Sequence, residues 1–342
     1  MRDFRMDILR NGVPIGRLLC KNISIRFDAN AEVMRGMQAE VFANRQEMTD
    51  GFEWNMFSDR LQPVLIEDGV ESSLGRFMII AAPENLAETG NYYNIEAYDE
   101  TMLLKQAAAT SRKFFDTGTA YMTAIEQMLT ECGFANVIRD ASSATMQISR
   151  EFAVGTTYLE IINTFLEEMN YNPVHTDVNG YVVLTAKEQR GTADFVYRDR
   201  AEFKLVGTIE RDRDIYEKPN VLVGVISNPQ TTPTVYTREN TDPASILSIY
   251  QRGYKVVKVY KMNNMASQAD LEAFIDAELL KAMQTTETVN FETLAEAGHE
   301  FGSTIQLATD LIEGLYTETF YQIDIAVNRS RMRHKGERRV FI

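Results

Sequence analysis

The sequence predicts an α+β chain that is mainly β, and three observations lead there. Short runs of alternating apolar and polar residues recur through residues 1–105 and again after residue 190. Turn dipeptides punctuate them, at Asn11-Gly12, Asp68-Gly69 and Asn179-Gly180; both residue types tolerate the positive φ of a tight hairpin. A helical apolar stripe occurs twice in the middle of the chain and once near residue 270. The expected organisation is therefore a β domain over 1–105, a small α+β domain over 106–190, and a second β domain over 191–342 with an inserted helix at 267–283.

Taken in order, Phe4–Leu9 and Val13–Leu19 flank the Asn-Gly turn, and Ile23-Ser24-Ile25-Arg26-Phe27 alternates strictly. Met34–Phe42 and Tyr92–Tyr98 also read as strands, and Val64–Glu67 and Arg76–Ala81 are apolar runs on either side of Asp68-Gly69. Strands this short and this closely spaced suggest a small barrel or sandwich. In the middle block, Gly118-Thr119-Ala120-Tyr121-Met122 and Gly155-Thr156-Thr157-Tyr158-Leu159 open two stripes offset by 37 residues. Thr119 and Thr156 are the expected N-caps, because a hydroxyl can accept a free backbone N–H at a helix start. Gly133 and Pro173 should end the two helices. The segments are either copies of one module or two sequences that share a helical period. A hairpin around Asn179-Gly180 follows. Beyond it, Phe203–Ile209, Asn220–Ile226, Thr288–Leu294, Thr304–Ala308 and Phe320–Val327 read as strands, and Asn228–Pro243 as turn-rich. Ser267, with Asp270 three residues on, should cap the inserted helix.

With 342 residues and 38.9 kDa the chain has room for two or three domains. Its 44% hydrophobic and 25% charged residues are those of a globular protein. Asp+Glu number 49 against 35 Lys+Arg, a net charge of −14. Such a chain disfavours general nucleic-acid binding and anionic membrane surfaces. No apolar run approaches the ~18–20 residues of a membrane helix, and Met1-Arg2-Asp3-Phe4-Arg5 carries no apolar signal core. Cys20 and Cys132 make no disulfide framework. Synthesis and folding in the cytoplasm are expected, without membrane insertion.

Catalytic signatures are missing. His175, His299 and His334 are far apart, and His299-Glu300 lacks the second histidine that a zinc-protease helix needs. There is no Walker loop, Gly-x-Gly-x-x-Gly, Gly-x-Ser-x-Gly or Cys-x-x-Cys. No catalytic residue, metal or cofactor is assigned, and the chain is expected not to be an enzyme. Glu210-Arg211-Asp212-Arg213-Asp214 reads as a solvated edge, and Trp54 as a core or subunit contact. The last segment reverses the chain's charge with Arg329, Arg331, Arg333, Lys335, Arg338 and Arg339 against Glu337 alone. It is either a solvated hairpin or a docking patch for an acidic neighbour, a second copy of this acidic chain included.

Several local patterns resemble the baseplate hub proteins of contractile phage tails. Asp59-Arg60-Leu61-Gln62-Pro63, followed by Ser73-Leu74-Gly75-Arg76-Phe77-Met78-Ile79, is similar to their first barrel, and Glu96-Ala97-Tyr98-Asp99 to its exit. The paired Gly-Thr helix starts, the 177–184 hairpin, Lys218-Pro219-Asn220-Val221-Leu222-Val223, the helix from Ser267 and the Phe320–Val327 strand continue the likeness. The group includes late control protein D, the hub part of type VI secretion spike proteins and the hubs of R-type bacteriocins. The resemblance implies two tail-tube-like β-barrels and a homotrimer that adapts a hexameric tail tube to a trimeric spike. It implies contacts with the tube protein and the spike, and with tape-measure and baseplate wedge proteins. The chain ends at Ile342, so the spike is expected to be a separate protein. The expected final location is a tail particle released by lysis. A hub of a non-contractile tail, and a cell-wall hydrolase or carbohydrate-binding protein, are the alternative readings.

Overall fold

In the computed structural model both residues of the Asn11-Gly12 turn have positive φ, 51° and 78°. The expected hairpin forms around them, with β1 (Arg2–Arg10) antiparallel to β2 (Val13–Asp28). The structure describes residues 2–49, 53–86, 90–188, 191–198, 205–213, 215–227, 233–262, 267–326 and 329–341. The two alternating runs expected over 13–27 are one strand, because irregularities between Leu18, Cys20 and Asn22 let the chain continue while its register shifts. β3 (Arg35–Met48), β4 (Arg60–Glu67), β5 (Val70–Ser73), β6 (Phe77–Ala81), β7 (Glu84–Asn85) and β8 (Tyr92–Asp99) follow. The Asp68-Gly69 turn joins β4 to the short β5. Val70-Glu71-Ser72-Ser73 has too little apolar pattern to announce a strand.

The middle block contains α1 (Met102–Gln106), β9 (Lys113–Phe115), α2 (Tyr121–Glu131), β10 (Val137–Arg139), β11 (Arg150–Phe152), α3 (Tyr158–Glu168), β12 (His175–Thr176) and β13 (Val182–Leu184). The caps sit one residue later than expected, at Ala120 and Thr157. The carbonyls of Thr119 and Thr156 are instead used in extended backbone bonds, accepting from Met146 N–H and Ala109 N–H. These two bonds are equivalent at the offset of 37, and each joins one copy to the other. The same reciprocity links Tyr121 N–H to Ala144 O and Tyr158 N–H to Ala107 O. β9 pairs antiparallel with its own counterpart, β11. Lys113 pairs with Glu131, which accepts from Tyr158 Oη–H; Arg150 pairs with Glu168, which accepts from Tyr121 Oη–H. The block is thus a structural duplication whose halves exchange contacts about a local twofold. Its core includes Ile125, Met128 and Leu129 from one helix and Ile162, Phe165 and Leu166 from the other.

The rest of the chain supplies β14 (Phe195–Arg198), β15 (Leu205–Arg213), β16 (Val221–Ile226), β17 (Thr234–Glu239), α4 (Ile249–Arg252), β18 (Val257–Met262), α5 (Gln268–Ala282), β19 (Gln284–Leu294), β20 (Thr304–Ala308), β21 (Glu313–Ala326) and β22 (Arg329–Phe341). The chain divides into two units, Met1–Thr208 with Phe291–Lys335, and Ile209–Asn290 with Gly336–Ile342. β17 occupies part of the stretch expected to be turns; residues 228–232, like Phe203, Lys204, Asp214 and Val327, lie outside the described residues. In the second unit β16 lies between antiparallel β17 and parallel β18. Leu222 packs against Leu271, Ile275 and Leu279 of α5, and Ser267 caps α5 as expected, accepting from Asp270 N–H. Gly224 is required here, because a Cβ would lie 2.6 Å from Leu271 Cδ1 and 2.8 Å from Ile275 Cγ1.

The first unit is built on one sheet in the order β1-β4-β6-β8-β3-β2-β21. Its register aligns Ile325, Ile23, Ala39 and Ile95 in one row, and Ile323, Ile25, Met37 and Ala97 in the next. All eight belong to one buried cluster. The period of two puts Asn22, Ser24, Gln38, Glu40, Asn94, Glu96 and Asp324 on the other face, where they line a groove of about 630 Å³. The mainly β, α+β class expected from the sequence is what the structure has.

Candidate docking strand and the buried network behind it

β22 carries the predicted basic residues on a strand whose side chains alternate. Arg331, Arg333 and Arg339 are exposed and Lys335 is half-buried, whereas Met332, His334 and Gly336 are buried. Arg331 pairs with Glu292 at 3.3 Å and Arg333 with Asp324 at 3.1 Å. Such exposed pairs contribute only about 0–1 kcal/mol each. Arg338 is different. It turns to Glu287, which is fully buried and also holds Arg213 of β15, so two guanidinium groups share one carboxylate. Arg213 accordingly takes the alternating charge run of β15 out of a purely solvated role. The side chain of Arg329 lies outside the described residues.

Behind the exposed arginines, the inward face of β22 meets a network that the sequence did not reveal. Glu318 of β21 is 1% exposed. His334 Nδ1 lies 2.6 Å from its Oε1, and His299 Nδ1 lies 2.7 Å from its Oε2. His334 Nε2 is 2.8 Å from Thr293 Oγ1, and His299 Nε2 is 3.3 Å from the hydroxyl of Tyr197. Phe291 stacks on His334 and Phe195 on His299, with centroids 4.7 and 3.6 Å apart. Burial pushes the Glu318 carboxyl up and the His334 imidazole down, so each favours its uncharged form. The donor atoms of the three residues lie within 4.8 Å of one another. The nitrogen–oxygen separations are those of hydrogen bonds, whereas ligands around a tetrahedral zinc stand about 3.3 Å apart. Three residues separated in sequence thus converge because β21 and β22 are neighbours and the loop after Ala295 returns beside them. The sequence signal was faint: a histidine at an inward position of an alternating strand.

A second buried polar group ties this unit together. Arg35 is 1% exposed at the end of the apolar rows of the sheet. Its guanidinium donates to Thr176 O at 3.0 Å, to His299 O at 3.3 Å and to the Glu300 carboxylate. Glu300 in turn accepts from Val178 N–H. His175 meets Phe301 at a tilt, with ring centroids 4.6 Å apart, and its Nδ1 lies 2.9 Å from Pro173 O. Burial pushes its pKa down to about 4. Trp54 packs partly buried against the first core and meets Tyr93 edge-on at 6.2 Å, as a core contact does.

No family model and no curated protein matches the sequence. Solved structures match the fold. The tail protein from Neisseria meningitidis MC58 superposes with a TM-score of 0.62 at 9% identity, over 98% of this chain and 96% of that one. The 43 kDa tail protein of prophage MuSo2 from Shewanella oneidensis gives 0.61 at 8% identity, over 98% of both chains. The E. coli c3393 protein is a type VI secretion component described as structurally similar to the T4 tail proteins gp27 and gp5. It gives 0.54 at 9% identity, over 96% of this chain and 76% of that one. The resemblance seen in the sequence is therefore matched by the fold, which this chain shares with phage tail and type VI spike-related proteins.

Proposed function

We propose that this chain is a structural hub subunit of a contractile tail, in a phage or an R-type bacteriocin. Three copies form a ring that joins a hexameric tail tube to a trimeric spike. Residues 1–105 and 191–342 act as two tube-like barrels with 106–190 between them, so that three chains offer six modules to the tube. The tube and spike proteins are its principal partners, with tape-measure and wedge proteins as neighbours. The role is assembly, not catalysis, and it is carried out in a particle built in the cytoplasm and released by lysis. The observation that carries this reading is fold similarity to two tail proteins over almost the full length of both partners.

Arg331, Arg333 and Lys335 of the first unit form the docking patch, whereas Arg338 of the second is held by buried Glu287. The exposed pairs are weak enough to exchange their carboxylates for those of an acidic neighbour. Light scattering of the purified protein, alone and with the spike encoded beside it, tests the proposal. A mass three times 38.9 kDa, or a three-to-three complex, is expected. Arg331→Glu with Arg333→Glu should lower the assembled fraction while leaving the monomer folded. A wild-type chain that stays monomeric with every tail protein encoded around it refutes the hub role.

A further inference from the structure

We infer that the His299–Glu318–His334 network folds around one proton more than the same three side chains bind in the unfolded chain at neutral pH, and that this proton latches the inward face of β22. Thr293 Oγ1 donates to Leu294 O at 2.9 Å, so its single hydrogen is used. His334 Nε2, 2.8 Å away, must then be the donor to that oxygen. His334 Nδ1 and Glu318 Oε1 are 2.6 Å apart, which requires a hydrogen between them; so do His299 Nδ1 and Glu318 Oε2 at 2.7 Å. That makes three protons. A carboxylate and two neutral imidazoles together carry two.

The count of three is also the uncharged state. Glu318 is a carboxylic acid donating to His334, His334 carries its own proton on Nε2, and His299 is the Nδ1–H tautomer, its Nε2 3.3 Å from the Tyr197 hydroxyl, whose hydrogen goes to Glu296 Oε2. A net charge in this site would be costly, since Glu318, His299 and His334 are each at most 2% exposed. The charged and titratable groups around it are Tyr197 from β14, Glu296 beside the Tyr197 hydroxyl, and Tyr321 from β21. The Arg35–Glu300 pair stands behind Tyr321 and the carbonyl of His299. None of these lies within hydrogen-bond distance of Glu318, so its extra proton is held by the two histidines.

The sign follows from linkage. Above pH ~6.5 the unfolded chain has released the imidazole protons and the Glu318 proton, whereas the folded network keeps one more. Stability then falls as pH rises, up to the pH at which the folded site lets go. Between about pH 4.3 and 6.5 the unfolded histidines hold two protons against one extra in the fold, so stability rises with pH. The contribution of the network peaks near pH 6.5.

Glu318→Gln tests this without breaking the geometry, because its amide donates to His334 and its carbonyl accepts from His299. Urea unfolding of both proteins is measured from pH 5 to 8. The wild-type folding constant, divided by that of the variant, should fall about tenfold per pH unit across this range. A ratio flat to within twofold overturns the inference, because Glu318 would then be ionised between two neutral histidines. If the variant does not fold, 15N spectra of histidine-labelled wild type decide the matter. Nε2–H for His334 and Nδ1–H for His299, unchanged from pH 5 to 8, are expected; a ring titrating near 6.5 overturns it. A rise in unfolding midpoint with added zinc, lost in Glu318→Gln, also overturns it, because a metal would then occupy the place of the proton.

Discussion

Replacing Arg35 by Met should lower folding stability by about 3–5 kcal/mol, the range for removing one partner of a buried ion pair. The structure places the value near the bottom of that range. Of the acceptors Arg35 satisfies, Thr176 O is held at 3.0 Å and His299 O at a weaker 3.3 Å. The first loses a full bond, worth about 1–3 kcal/mol when a buried acceptor is left bare, and the second less. The Glu300 side chain is 32% exposed and can draw on water once abandoned. The Nε of Arg35 is buried and has no partner among the described residues, so its removal offsets part of the loss. Arg35→Lys keeps the charge, but one ammonium cannot reach two carbonyls and a carboxylate from a single fork, so it should fall between Met and wild type. Urea unfolding followed by the fluorescence of Trp54, which packs against the same core, reads the change. A loss below about 1 kcal/mol for Arg35→Met would show that the hydrogen bonds and the ion pair contribute no net stability, and the argument built on them would fall.

Three further outcomes follow from separate parts of the chain. Gly224→Ala should destabilise the second unit by about 1–3 kcal/mol, because α5 must move away from β16; thermal unfolding measures it, and an unchanged midpoint contradicts the packing. Tyr121→Phe and Tyr158→Phe remove equivalent hydroxyls of the duplicated module, so each should cost about 0.5–1.5 kcal/mol. Values differing by more than that whole range in denaturant titrations would argue against functional equivalence of the two halves. His175, whose pKa falls from 6.5 to about 4 in the fold, binds its proton more readily when unfolded. Acidification from pH 6.5 to 4 should therefore remove up to about 3 kcal/mol of stability. His175→Asn should flatten that part of the pH profile, and an unaltered acid limb would remove His175 as its source.

Local rules made much of the fold legible. Asn11-Gly12 and Asp68-Gly69 name their turns because few residues accept positive φ, and Ile23–Phe27 names its strand because one face is buried and the other is not. The Ser267 cap and the stripe at Leu271, Ile275 and Leu279 likewise need no long-range information. β5, β14, β17 and β18 were missed because short strands with mixed exposure, such as the exposed Val257 and Val259 of β18, lose the period that marks a half-buried strand. The duplication was half-visible: the offset of 37 could be read, but the reciprocal bonds from Met146 N–H to Thr119 O and from Ala109 N–H to Thr156 O exist only in three dimensions. It is also what displaced both caps by one residue.

The same distinction separates the two faces of β22. Its charge reversal is a property of composition and was readable, and so was the alternation that puts Arg331 and Arg333 on one side. Which cations remain available was not readable, because that depends on the acid opposite each. Arg331 and Arg333 face exposed Glu292 and Asp324, where water competes and little energy is committed. Arg338 faces a carboxylate with 0% exposure that it shares with Arg213, so its charge is committed to a buried pair. His334, on the face opposite Arg331 and Arg333, meets Glu318 across a sequence gap of sixteen residues. That convergence needs β21 and β22 to pair in one register, for a shift by one residue would turn His334 outward and the arginines in. The register that keeps the basic face exposed is thus the one that completes the buried network.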